Sequence, residues 1–318
     1  MNQDSGAPKK TSKRRQILLS IGLAFGLQVI ASIIMTTVFV TWIISTTGQK
    51  PPQDSAAIMG YLTEHAWPAL TIAMFAQGFV GIWLYKRLYR RAFKKLPEDF
   101  DHRQKGVWQE LATGILIGFG LISLVVLVMM MNGSYQPVGL QLVPGILYGL
   151  ALGFGAAFVE EPAYRGFLLG GLAKVMSPAR AIIYSSIVFG LMHLMSSTSA
   201  GGDQALGLIG IIVSTALLFA GAYFLTKRLW LAIGIHLGWN FTLSGVYGLA
   251  VSGLPAAEGF VKHQEVIGSH LVTGGNFGPE GSLTIMVLGA AIGAVMLWMA
   301  HKKGNLRKQL VRKFSFRG

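Results

Sequence analysis

Glu160 and Glu161 stand side by side in the stretch VEEPAYRGFL, followed by Pro162 and, four residues beyond Glu161, by Arg165. Two further pairs lie in apolar surroundings: Phe189 and His193 in FGLMHL, and His236 and Asn240 in HLGWN, each four residues apart. Residues four apart share a helix face, so Glu161 and Arg165 can pair, which makes both tolerable away from water. Glu160 is turned about 100° from that pair. Burial without a partner disfavours its charged form, the condition expected of a general base. Pro162 has no N–H and frees the carbonyl of Phe158, so the helix is expected to bend there. Each cluster also has a structural reading. Glu161 and Arg165 could be an ion pair locking one helix, His193 a hydrogen-bonded core histidine packed beside Phe189, and His236 with Asn240 one local hydrogen bond.

The elements that carry these residues belong to a membrane. The 318-residue chain is 52% hydrophobic and 13% charged, with mean hydropathy +0.53, whereas soluble domains carry about 25% charged residues. Apolar runs of about 18 residues or more read as spans, because a helix satisfies its own backbone in lipid. The pattern predicts an all-α polytopic protein with about eight spans: Ile17–Ile44, Trp67–Tyr85, Val107–Met131, Leu142–Val159 continuing towards Val175, Ala181–Met195, Ala205–Leu225, Trp230–Leu249 and Leu283–Ala300. Ser177 and Pro178 offer an N-cap and first position for the fifth. The first reads as a signal anchor that stays, its apolar run being too long for a cleaved leader. A single membrane domain, 16–300, with a catalytic core at about 142–250, is flanked by basic tails at 1–15 and 301–318. Small residues four apart, Gly114/Gly118, Gly149/Gly153, Gly166/Gly170 and Gly289/Gly293, predict close helix contacts.

Basic residues set the orientation. With both termini cytoplasmic, 25 of the 27 Lys and Arg fall on inner segments, eight of them in Lys86–Lys105, and only Lys50 and Lys262 fall outside. The net charge of +14 therefore reads as a rim facing anionic lipid and not as a nucleic-acid surface. Without cysteine there is no thiol nucleophile, thiolate metal site or disulfide. His263 and His270, in the long Gly-rich loop Ser252–Ser282, read as solvated residues, and Ser185 and Ser186 have no evident base.

An ionisable residue at membrane depth is a functional candidate by default, and those in the spans reduce to Glu160, Glu161, Arg165, His193 and His236, with polar Asn240 beside them. Glu160 and His193 each lie about 15 residues from the turn between their helices, roughly 22 Å deep, and can face one another. His236 and Asn240 come out at only about 10 and 15 Å. A tilt, or a recessed turn between the sixth and seventh spans, would close the gap.

EExxxR, FxxxH and HxxxN in that order on successive apolar segments resemble the CPBP family, the CaaX-processing and bacteriocin-processing (Abi) intramembrane endopeptidases. The resemblance covers about Ala151 to Gly245. It implies peptide-bond cleavage in a cavity reached from the cytoplasmic side, on a membrane-embedded or lipidated substrate. It places the family's functional residues on Glu160, Glu161, Arg165, Phe189, His193, His236 and Asn240. The residue types allow Glu160, with His193, to orient and deprotonate a water, and His236 and Asn240 to donate to the oxyanion. Glu161 and Arg165 would brace the site. Glu160, His193 and His236 could instead hold Zn²⁺. There is no HExxH, the metal-free reading is preferred, and zinc stays open. The rival reading is a non-catalytic scaffold or immunity protein; the expected home is a prokaryotic plasma membrane.

Overall fold

A computed structural model describes residues 12–47, 67–196, 198–254 and 258–306. The expected basic tails lie outside these residues over 1–11 and 307–318, and Lys13 already opens the first helix. The fold is helical: α1 Lys13–Thr47, α2 Trp67–Phe93, α3 Val107–Met131, α4 Gly145–Glu160, α5 Pro178–Ser196, α6 Gln204–Ser214, α7 Trp230–Asn240 and α8 Leu283–Lys302. α4 runs on to Leu172.

Six helices among the described residues are long and apolar enough to cross a membrane: Lys13–Thr46, Trp67–Phe93, Val107–Met131, Gly145–Leu172, Gly201–Thr226 and Leu283–Lys302. The expected fifth and seventh spans are present as shorter helices. The apolar stretch of α5 is Pro178–Leu194, and α7 is an 11-residue α-helix prolonged by a π-helical turn. One departure from all-α is a small antiparallel ribbon of β1, Pro137–Leu140, and β2, Val261–His263. It contains Lys262, one of the two basic residues outside the inner segments. The His263 ring packs tilted against Tyr135, centroids 4.6 Å apart, and exposed His270 bonds Asp203 at 2.5 Å, so both have protein partners.

Glycines set how closely the site helices approach. A Cβ on Gly118 of α3 would collide with the Ile235 carbonyl of α7, and Gly234 and Gly238 return the same contact from the α7 side. A Cβ on Gly153 of α4 would lie 2.7 Å from the Leu237 carbonyl. α7 is thus held between α3 and α4 by backbone contact. Gly118→Ala is expected to lower stability by about 1–3 kcal/mol, the range for overpacking. Gly120→Ala, two residues on with nothing within 4 Å of its would-be Cβ, is expected to be neutral or to gain about 0.5–1 kcal/mol. Melting temperatures of the two variants in one detergent decide it.

Proline does not simply kink α4. The chain from Glu161 to Leu169 is π-helical. Thr215–Phe219 after α6 and Phe241–Val246 after α7 are also π-helical. π-Helical turns are rare and concentrate at functional sites. These three begin or end at Glu161, Phe219 and just past Asn240, where the helices meet.

The turn before α7 is recessed, which removes the depth mismatch. Asp99 accepts the Leu229 amide at 2.9 Å through its carbonyl. Its carboxylate accepts the Tyr85 hydroxyl at 3.0 Å, and the Tyr85 ring lies against Gly166. Trp230 therefore starts level with Gly166, well short of the turn at Ala173–Ser177. Burial pushes the Asp99 carboxyl from 3.8 up to about 6, against the lowering effects of Tyr85 and Lys174. The native state then holds this proton more tightly than the unfolded chain, so stability falls as pH rises from about 4 to about 6. At about 1.4 kcal/mol per unit the loss is on the order of 3 kcal/mol. Asp99→Asn keeps an acceptor for Tyr85 and is expected to flatten the stability profile between those pH values, as read by thermal melts.

Candidate active site

The site is built around Glu161. It is fully buried, and its Oε1 accepts Arg165 Nη1 at 3.0 Å, the predicted pair, and His236 Nδ1 at 2.8 Å. A carboxylate on Nδ1 fixes that nitrogen as the donor and turns Nε2 the other way. His236 Nε2 faces Glu160 Oε2 at 4.0 Å. The imidazole thus stands between two adjacent carboxylates, bonded to one and open towards the other. Glu160 remains 18% exposed, whereas the Glu161 side chain is at 0%. The acid that could reach a water and the acid that holds the framework are separated by one position in the sequence.

Arg165 is nearly fully buried, and two aromatic rings lie against it. Its guanidinium carbon lies 4.6 Å from the Phe189 ring centre and 4.7 Å from that of Phe219. Stacking between rings replaces part of the lost hydration of the cation. Phe219 also meets the His236 ring edge-on at 5.5 Å, so one phenylalanine packs on both partners of Glu161. Phe189 touches Tyr164 at 4.8 Å and His193 at 4.6 Å. These contacts place α5 beside the π-helical turn of α4. His193 Nδ1 lies 2.9 Å from the Phe189 carbonyl, which leaves Nε2 as its distal nitrogen. Asn240 is buried one turn beyond His236. Ser185 bonds the Ile182 carbonyl at 3.1 Å within its own helix.

His236 Nε2 stands against Glu160, a contact the spacing did not point to. Sequence reasoning missed Phe219, which has no polar atom to mark it. It also missed Glu280, counted with the outer loop yet only 6% exposed. Among the described residues no group of three His, Asp or Glu side chains could hold a metal ion. The three suggested zinc ligands, Glu160, His193 and His236, do not form such a group, while the Glu161 bond to His236 Nδ1 leaves Nε2, the nitrogen a metal would take, turned towards Glu160.

Fold and site define a polytopic helical membrane protein with a carboxylate–imidazole centre buried where its helices cross. Residues 141–242 match the family model for Type II CAAX prenyl endopeptidase Rce1-like proteins. This is the CPBP family, a protease family, and the matched third of the chain contains all seven motif residues. No curated protein and no solved structure gives a significant match to the chain.

Proposed function

We propose that the protein is an intramembrane endopeptidase in which Glu160 and His236 activate water against a peptide bond of a membrane-embedded or lipidated substrate. The observation that carries this is the placement of His236, with Nδ1 held by Glu161 at 2.8 Å and Nε2 turned towards Glu160 at 4.0 Å. That span is too long for a direct hydrogen bond and short enough for one water to touch both groups. Glu160 takes a proton from the water as its oxygen attacks the scissile carbonyl carbon. His193 and Asn240, on α5 and α7, are the donors suited to the resulting oxyanion. When the tetrahedral adduct collapses, the C–N bond breaks and Glu160 returns its proton to the leaving amine. Glu161, Arg165, Phe189 and Phe219 hold the imidazole in place through this sequence. No step requires a metal.

The family match supports a prenylated C-terminal tail as one substrate class; other membrane-associated peptides fit the same chemistry. The distribution of Lys and Arg supports eight membrane-crossing segments with both ends cytoplasmic. It also supports a basic rim facing anionic lipid; a prokaryotic plasma membrane is the proposed home. The substrate class is tested with the purified protein in anionic liposomes. A farnesylated CaaX-tailed peptide, the same peptide without lipid and an apolar helical peptide are incubated separately, and products are identified by mass. Hydrolysis of an internal bond in the lipidated or helical peptide, weaker in the soluble one, is expected. Cleavage of none of them would favour the scaffold or immunity reading.

A further inference from the structure

Glu280 is a buried carboxylate that the mechanism above does not use. It sits in the helical turn Pro279–Gly281, just ahead of α8. Glycines clamp that turn onto α6, because a Cβ on Gly210 would collide with the Glu280 carbonyl and one on Gly207 with the Phe277 ring. The side chain accepts three donors. Oε1 takes the Trp239 indole N–H at 2.9 Å, and Oε2 takes the Ser252 amide and, at 3.0 Å, the Ser252 hydroxyl. Ser252 meets it from a left-handed backbone, φ 52°, a conformation that a serine adopts only when its surroundings hold it there.

Trp239 lies between His236 and Asn240 on α7. Its ring packs on Phe219 at 6.1 Å, and Phe219 packs in turn on His236 and on Arg165. A continuous path of one hydrogen bond and three ring contacts therefore runs from Glu280 to both partners of Glu161. We infer that Glu280 is a positioning residue of the active site, fixing the Trp239 indole and thereby the rotation of α7 that presents His236 to Glu160 and Asn240 to the substrate. A carboxylate suits this task because it accepts all three donors at once. A glutamine would turn its NH₂ against either the indole or the Ser252 amide, leaving two donors facing each other.

The kinetic part of the test rests on the endopeptidase reading, so a readout independent of cleavage accompanies it. Protein labelled with ¹⁵N in the histidine rings is studied in detergent, with the His236 signals assigned through His236→Gln. Glu280→Gln and Trp239→Phe are each expected to shift the His236 ring signals. Each is also expected to lower kcat on a cleaved peptide by up to about 10²-fold, the scale of a small misplacement of a reacting group, with KM changed by less than about twofold. The double variant is expected to lose no more than the worse single one, because both act through one contact. Glu265→Gln, on an exposed residue of the same outer segment, is the control expected to change neither. Shifted His236 signals in a protein that cleaves nothing would uphold the positioning and sink the endopeptidase reading alone. Unshifted signals and unchanged kcat, even with a lowered melting temperature, would overturn the inference and leave Glu280 a stability residue.

Discussion

Arg165→Leu is expected to destabilise the protein by about 3–5 kcal/mol, the cost of breaking a buried ion pair by removing one partner. The reason is local. Arg165 and Glu161 are at 3% and 0% exposure, so Glu161 would be left with its charge and only the His236 N–H for compensation. Glu161 Oε2 already has no hydrogen-bond partner among the described residues, which leaves little slack at this carboxylate. The gap between Phe189 and Phe219 would be filled by a shorter, neutral side chain, so stacking would be lost as well. The double variant Glu161→Leu/Arg165→Leu removes both charges and is expected to recover most of the stability, since apolar replacement of a buried pair is often neutral. It is not expected to recover activity, because His236 Nδ1 then has no carboxylate to hold it. Melting temperatures and peptide cleavage on the three proteins separate the two effects. A single variant as stable as wild type would mean that the pair carries no structural weight.

Glu160→Gln is expected to lower kcat by about 10²–10⁴-fold, the contribution of a positioned general base. Melting should change little, because Glu160 is the more exposed of the two glutamates and the imidazole nitrogen it faces, His236 Nε2, is 4.0 Å away. Glutamine keeps the shape and can still hydrogen-bond a water, but it cannot take the proton. KM should hold, because the lost interaction belongs to the transition state. Steady-state kinetics beside a thermal melt checks this, and a fall in stability equal to that of Arg165→Leu would assign Glu160 to the framework instead.

What the sequence discloses about this site is what lies within one helix. The Glu161–Arg165 pair follows from a four-residue spacing, and the ring contact of Phe189 with His193 from the same spacing on α5. The contact of His236 with Glu161 joins residues 75 positions apart, and no periodicity encodes it. It depends on the recessed turn at Leu229, which Asp99 sets, and on glycines that let α7 lie against α3 and α4. Gly114 and Gly118 were legible as a seam; that Gly234 and Gly238 answer them from α7 was not, because spacing does not name a partner. Pro162 announces a disturbed helix without saying that the disturbance is nine residues of π-helix. Glu280 reads as a loop carboxylate because its burial comes from Gly207, Gly210, Trp239 and Ser252, all distant in sequence.

The claim that Glu160 and His236 activate water without a metal is tested most directly on a quenched fluorescent peptide library. Wild type and Glu160→Gln are assayed in detergent, each before and after exhaustive treatment with a zinc chelator. The account predicts cleavage by wild type at an unchanged rate after chelation and a rate at least about 10²-fold lower for Glu160→Gln in either state. Loss of wild-type cleavage on chelation, restored by added zinc, would contradict it.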